Sequence, residues 1–145
     1  MNEQNKTTLT VENTINVPVE KVWEYWTRPE HIVQWNSASV DWHTPRAEND
    51  LRVGGSFTFR MEAKDGSMGF DFGGVYDKIT GNELIAFTLG DDRKVAVNFS
   101  QVGNSTKVVE SFEAENTNSL ELQQGGWQAI LNSFKQYCER VEGKS

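Results

Sequence analysis

The groups able to do acid–base, nucleophilic or metal chemistry in this chain are few and scattered. Its two histidines, His31 and His43, have no cysteine, histidine or carboxylate at ligand spacing. A bound metal needs three or four converging donors, so none is assigned. His31 falls in a polar stretch and is expected at the surface; His43 ends a strand-like run and is placed to rim an opening. Cys138 is the one thiol, set among apolar residues at helical spacing, where a buried and inert sulfur is expected. A hydrolytic site would need a nucleophile and a base held within about 3 Å, and no such pair is legible. Asp41, Glu110 and Asn98 are the polar residues positioned to face a polar end of an interior cavity, where burial would raise a carboxyl pKa. The "VGG" at 53–55 and "FGG" at 72–74 lack the spaced glycines, lysine and serine of a phosphate cradle and are expected to let strands bend. No catalytic residue, metal or cofactor is therefore assigned.

Composition narrows the partners. The 145 residues carry a formal net charge of −7 and no basic run longer than a pair, so contact with a phosphate backbone or an anionic bilayer would begin in repulsion. Nucleic acid and membrane are excluded as expected partners. The opening "MNEQNKTTL" lacks the basic end and apolar core of a secretory signal, and no run approaches the roughly 18 to 20 apolar residues of a membrane helix. A cytoplasmic location is expected, and the lone cysteine fits a reducing compartment. The length suits one domain spanning 1–145, with its core over about 8–141.

The elements that must position any site begin with "TTLTVENTINV", an alternating strand in which Asn13 interrupts the apolar parity of Leu9, Val11 and Ile15. A bulge or an internal polar contact is expected there. "PVEKVWEYWTRPEHIVQW" at 18–35 holds two proline-started helices, with Val19, Val22, Trp23 and Trp26 at the spacing of a buried stripe and Ile32, Val33 and Trp35 on the second. Both are too short to be stable alone and must lie against something larger. Trp35 is expected near an entrance.

Strands are expected at 39–43, 56–63, 68–79, 83–89, 93–101 and 107–112, separated by the turns "KDGS", "TGNE", "GDDR" and "VGNS". Their short spacing favours an antiparallel meander. Phe57, Phe59 and Met61 share one strand face and Phe70 and Phe72 another, with Arg60, Glu62 and Asp71 turned to water. A last helix is expected from about Asn118, capped by that side chain, to Val141, with the stripe Trp127, Ile130, Leu131, Phe134, Tyr137, Cys138, Val141. Gly125 and Gly126 either delay its start or admit a close approach to the sheet. A curved sheet covered by this helix gives every apolar face one place to go and, being strongly bent, encloses space against the helix.

In order and spacing, "VPVEKVWEYWTRPEHIVQW", "DLRVGGSFTFRM", "DGSMGFDFGGVYDKITGNELIAFTL" and "GGWQAILNSFKQY" resemble the START-like (SRPBCC) helix-grip superfamily. Within it they are most similar to the bacterial family homologous to the C-terminal domain of the activator of the heat-shock protein 90 ATPase. Trp23 and Trp35 match its helix tryptophans, Gly54 and Gly55 its paired glycines, Gly66 its hairpin glycine and Trp127 its late Gly-Trp. The resemblance implies an α+β fold: a curved seven-stranded antiparallel sheet wrapped around a long C-terminal helix, with two short helices after the first strand. It also implies a ligand cavity between sheet and helix, which would be lined here by Trp26, Trp35, Phe57, Phe59, Phe70, Phe72, Trp127, Leu131 and Phe134.

The leading functional expectation is non-catalytic binding of a small hydrophobic or amphipathic molecule in that cavity. A protein-interaction or chaperone-regulating module and a cyclase-like cavity enzyme are the alternatives. The family's activator works beside an additional N-terminal domain absent from these residues, which makes a chaperone partner a doubtful expectation. An exposed aromatic rim would be compatible with a homodimer.

Overall fold

The structure, a computed structural model, describes residues 7–143. The stretch read for a secretory signal therefore lies largely outside them, at 1–6. Along the chain run β1 (Thr8–Ile15), α1 (Val19–Thr27), α2 (Pro29–Trp35), β2 (Trp42–Asn49), β3 (Ser56–Ala63), β4 (Gly69–Thr80), β5 (Leu84–Leu89), β6 (Lys94–Val102), β7 (Ser105–Glu113) and α3 (Leu120–Val141). The strands form one sheet in the order β1-β7-β6-β5-β4-β3-β2, antiparallel at every pairing. The sheet curves around α3, so the helix-grip architecture implied by the resemblance is the one observed.

Local chemistry explains most boundaries. The β1–β7 register is unbroken from Thr8↔Glu113 to Ile15↔Thr106. Asn13 thus makes the polar contact rather than a bulge: its Nδ2 donates to the Leu131 carbonyl at 3.1 Å. Pro18 stands just before α1 as its N-cap residue, and the stripe that is buried is Val19, Val22 and Tyr25, with Trp23 and Trp26 only partly covered. The strand expected at 39–43 is displaced. A turn occupies Val40 and Asp41, and β2 runs on through Pro45, where the register with β3 slips between His43 and Arg46. Proline has no N–H for a ladder, which argues against a strand from sequence; it is accommodated because β2 is a sheet edge and the slip falls at Pro45.

The cap of α3 is Ser119, whose Oγ accepts from the Leu122 N–H at 3.0 Å, instead of Asn118. Asn118 is engaged by Glu115, which accepts from both its backbone and its side-chain N–H groups. Gly125 and Gly126 lie inside the helix, and a Cβ on either would meet nothing within 4 Å, so close approach to the sheet is not their role.

How α3 is fixed decides the shape of everything beneath it. Gln124, Gln128 and Lys135 donate to the carbonyls of Thr10, Glu12 and Thr14 at 3.0, 3.1 and 2.8 Å. These oxygens lie on the side of β1 that has no strand partner. Trp127 stacks on Phe112 of β7 with centroids 3.9 Å apart, and Leu131 and Phe134 are sealed into the core. The helix is thereby tied to the β1–β7 side, while β3 and β4 curl away from it. At the far end of the curve α1 and α2 close the fold: Trp35 Nε1 donates to the Tyr25 carbonyl at 2.9 Å, and the Ser133 hydroxyl donates to the Trp35 carbonyl at 2.8 Å.

Two glycine substitutions test this local reading in opposite directions. Gly125→Ala fills open space in a helix interior and is expected to raise unfolding free energy by about 0.5 to 1 kcal/mol. Gly74→Ala would place a Cβ 2.4 Å from the Thr88 carbonyl oxygen and is expected to lower it by about 1 to 3 kcal/mol. Urea unfolding of both variants measures the pair.

Candidate functional site

A cavity of about 190 Å³ remains between the curled sheet and α3. Its walls come from α1 and α2 (Trp26, Trp35) and the residue after them (Asn36), β3 and β4 (Phe57, Phe59, Met61, Phe70, Phe72, Tyr76), β5 (Ile85, Phe87), β7 (Glu110) and α3 (Trp127, Ile130). Strand alternation puts the sheet residues there, since every second side chain turns to the concave face. Beside it an open groove runs past Ala38, Trp42, Leu122 and Gly126 and shares Met61, Phe70, Trp127 and Ile130 with the cavity wall.

Seven of the nine residues expected to line a cavity do so: Trp26, Trp35, Phe57, Phe59, Phe70, Phe72 and Trp127. Leu131 and Phe134 do not. Both are 0% exposed: Leu131 is spent on the core, and Phe134, held edge-on between Trp26 and Trp35 at 4.9 and 4.7 Å, anchors the short helices. Trp35, expected at an entrance, is 3% exposed and forms an inner wall, whereas Phe70, at 47%, sits where cavity meets groove. Among the walls the sequence reading did not select, Met61, Tyr76, Ile85 and Phe87 continue the inward parity of their strands. Asn36 follows the end of α2, with its Nδ2 on Thr44 Oγ1 at 3.2 Å, and carried no signal in the sequence.

Of the three polar residues expected to face a cavity end, Asp41 and Asn98 are exposed and Glu110 is inside. Glu110 occupies the inward parity of β7 with Thr106, Val108 and Phe112. Its neighbours across the ladder are Val11 and Val97. The carboxyl forms no hydrogen bond or ion pair among the described residues, and burial alone pushes its pKa up to about 8. Tyr76, the other ionisable group in the wall, donates its hydroxyl proton to Asn49 Oδ1, and burial pushes its pKa up as well. The cavity therefore presents one weak buried acid against rings and hydrocarbon, with no nucleophile–base pair among its walls.

The remaining candidates lie elsewhere. His31, expected at the surface, is partly covered, with Nδ1 hydrogen-bonded to Tyr137 Oη at 2.7 Å and its ring edge-on to Tyr25. His43 faces Glu62 across the β2–β3 ladder and is not in the cavity wall. Cys138 is buried, and desolvation pushes its thiol up, away from the reactive thiolate. Among the described residues no group of three or more histidine, cysteine or carboxylate side chains is arranged for a metal, and no helix is long and apolar enough to cross a membrane.

This half-barrel gripping a helix defines a START-like helix-grip protein. Residues 16–139 match the family model described as activator of Hsp90 ATPase homolog 1-like protein, and the chain belongs to that family. The solution structure of an AHSA1-like protein from Aeromonas hydrophila is 40% identical, with a TM-score of 0.88 and coverage of 96% of each chain. A solution structure from Cytophaga hutchinsonii is 55% identical, with a TM-score of 0.78, covering 98% of this chain and 97% of that one. A crystal structure from Nitrosomonas europaea, at 18% identity and a TM-score of 0.80, shares the fold over 94% and 96% of the two chains. No curated protein matches the chain. The family match overturns the expectation that a chaperone partner is doubtful: residues 16–139 match a family described by its activator of the Hsp90 ATPase, and the 40% identical AHSA1-like structure covers 96% of the chain.

Glu110 makes stability depend on pH in a direction opposite to the usual carboxylate. Its native pKa of about 8 lies above the ordinary 4.5, so between these values the folded chain holds more protons than the unfolded one. Its contribution is complete below the lower value and is lost as pH rises through the upper one. Glu62, held low chiefly by its hydrogen bond from Arg60, and Glu115, held low by the Asn118 N–H, act oppositely and only at acid pH. Denaturant unfolding of the wild type is expected to weaken by roughly 1 kcal/mol per pH unit from about pH 5 to pH 8, and Glu110→Gln is expected to flatten that slope.

Proposed function

We propose that this protein is a non-catalytic binding module that acts by docking on a protein partner, with an Hsp90-type ATPase as the partner class. The carrying observation is family membership over residues 16–139. Exposed apolar side chains beside the groove, Phe70 at 47% and Leu122 at 64%, add a surface suited to protein contact. Such a partner would place the chain in the cytoplasm, in keeping with its single thiol. Immobilised cognate Hsp90-type chaperone is expected to retain the purified protein, and its ATPase rate is expected to change on addition. Absence of both retention and a rate change at micromolar concentrations removes this reading.

A second reading is supported by the cavity itself: a small apolar or amphipathic molecule is held between sheet and α3. At about 190 Å³ the space exceeds the roughly 150 Å³ that accommodates benzene in an engineered protein cavity. Three tryptophans stand in its wall. Titration with toluene is expected to change tryptophan fluorescence and to shift amide signals of β3, β4 and α3 saturably. Shifts spread evenly over the surface would dismiss it.

A further inference from the structure

Resting on this second reading, the geometry points to a ligand class: an uncharged molecule of about one aromatic ring plus a short substituent, bearing a hydrogen-bond acceptor to which the protonated carboxyl of Glu110 donates. The side chain is 7% exposed and lines the cavity, and no group among the described residues bonds to it. Its oxygens are unpaired but open to the cavity, so an occupant that covers them must offer a partner or leave a buried polar group unsatisfied.

The surroundings choose between the charged and neutral forms of that carboxyl. No lysine, arginine or histidine stands in the cavity wall, and the groups beside Glu110 on the two neighbouring strands are Val11 and Val97. From the other packed elements the cavity receives Trp26 and Trp35 from the short helices, Asn36 after them, and Trp127 and Ile130 from α3, none of them ionisable. Tyr76 is the remaining titratable wall residue, neutral and already donating to Asn49. Desolvation with no countercharge favours the neutral acid, which near neutral pH has one O–H to donate. A ligand carbonyl or ether oxygen accepts it without bringing charge into the cavity; an ammonium ion would carry its own desolvation cost there.

Three probes of matched size separate the outcomes: acetophenone, isopropylbenzene and α-methylbenzylamine, titrated by NMR and tryptophan fluorescence at about pH 6 and pH 9.5. The ketone loses its hydrogen bonds to water on entry and regains one only from the protonated carboxyl, so the ratio of acetophenone to isopropylbenzene affinity is expected to be roughly tenfold higher at the lower pH than at the higher, a preference the carboxyl supplies. Glu110→Gln, whose amide N–H still donates, is expected to keep the preference at both pH values. Glu110→Leu is expected to abolish it while still admitting the hydrocarbon. A ketone-to-hydrocarbon affinity ratio that is the same at both pH values in the wild type, and the same in Glu110→Leu, overturns the proposal and leaves the cavity reading standing. Preferential binding of the amine overturns it in favour of a carboxylate–cation pair. Failure of every probe in both the wild type and Glu110→Leu overturns the cavity reading and the proposal with it.

Discussion

The side chains that tie α3 to the outer carbonyls of β1 govern the rest of the molecule. A sheet edge exposes unpaired acceptors, and here Gln124, Gln128 and Lys135 satisfy three of them along a helix face. A helix fixed to one edge cannot follow a sheet that coils through seven strands, because the twist carries the opposite strands away from the helix axis. Space opens on the β3–β4 side, and the large rings of Phe57, Phe59 and Phe72 reduce it without closing it. The cavity is thus a consequence of where the helix is fastened.

The same asymmetry separates two duties that α3 performs. Phe134 packs against the short helices and Leu131 is sealed in the core, while Trp127 lies flat on Phe112 with Phe72 at 6.1 Å in an edge-to-face arrangement. One helix thereby anchors the fold near its C-terminal half and forms a wall nearer its start. The groove beside that wall exposes Phe70 and Leu122, so a partner seated there would touch residues bordering the cavity. Groove and cavity share Met61, Phe70, Trp127 and Ile130, so the two proposed modes of binding would meet on one surface.

Much of the fold was legible in the sequence because it rests on local signals. Alternation, helical stripes, turn glycines and two helix-starting prolines specify element types nearly one by one, and their order resembles a known family closely enough to imply the pairing. The errors have physical causes. β2 runs beyond the strand expected at 39–43 because an edge position tolerates Pro45, and an edge is a property of the assembled sheet. The α3 cap falls one residue later than expected because Asn118 and Ser119 are both good caps, and the bonds of Asn118 to Glu115 leave the capping to Ser119. The hydrogen bonds from α3 to β1 went unseen, since glutamines on a helix look like any solvated face.

The amino-acid pattern by itself determined which side chains turn inward, and so determined the aromatic character of the site and placed Glu110 on the same parity as Val108 and Phe112. Only the tertiary structure decided which inward side chains fill and which surround. Leu131 and Trp127 carry similar signals on one stripe, yet one is sealed in the core and the other borders a cavity. Periodicity is a property of single elements, whereas empty volume depends on the distance between elements. That distance was set here by hydrogen bonds at a sheet edge and by the coiling of the strands.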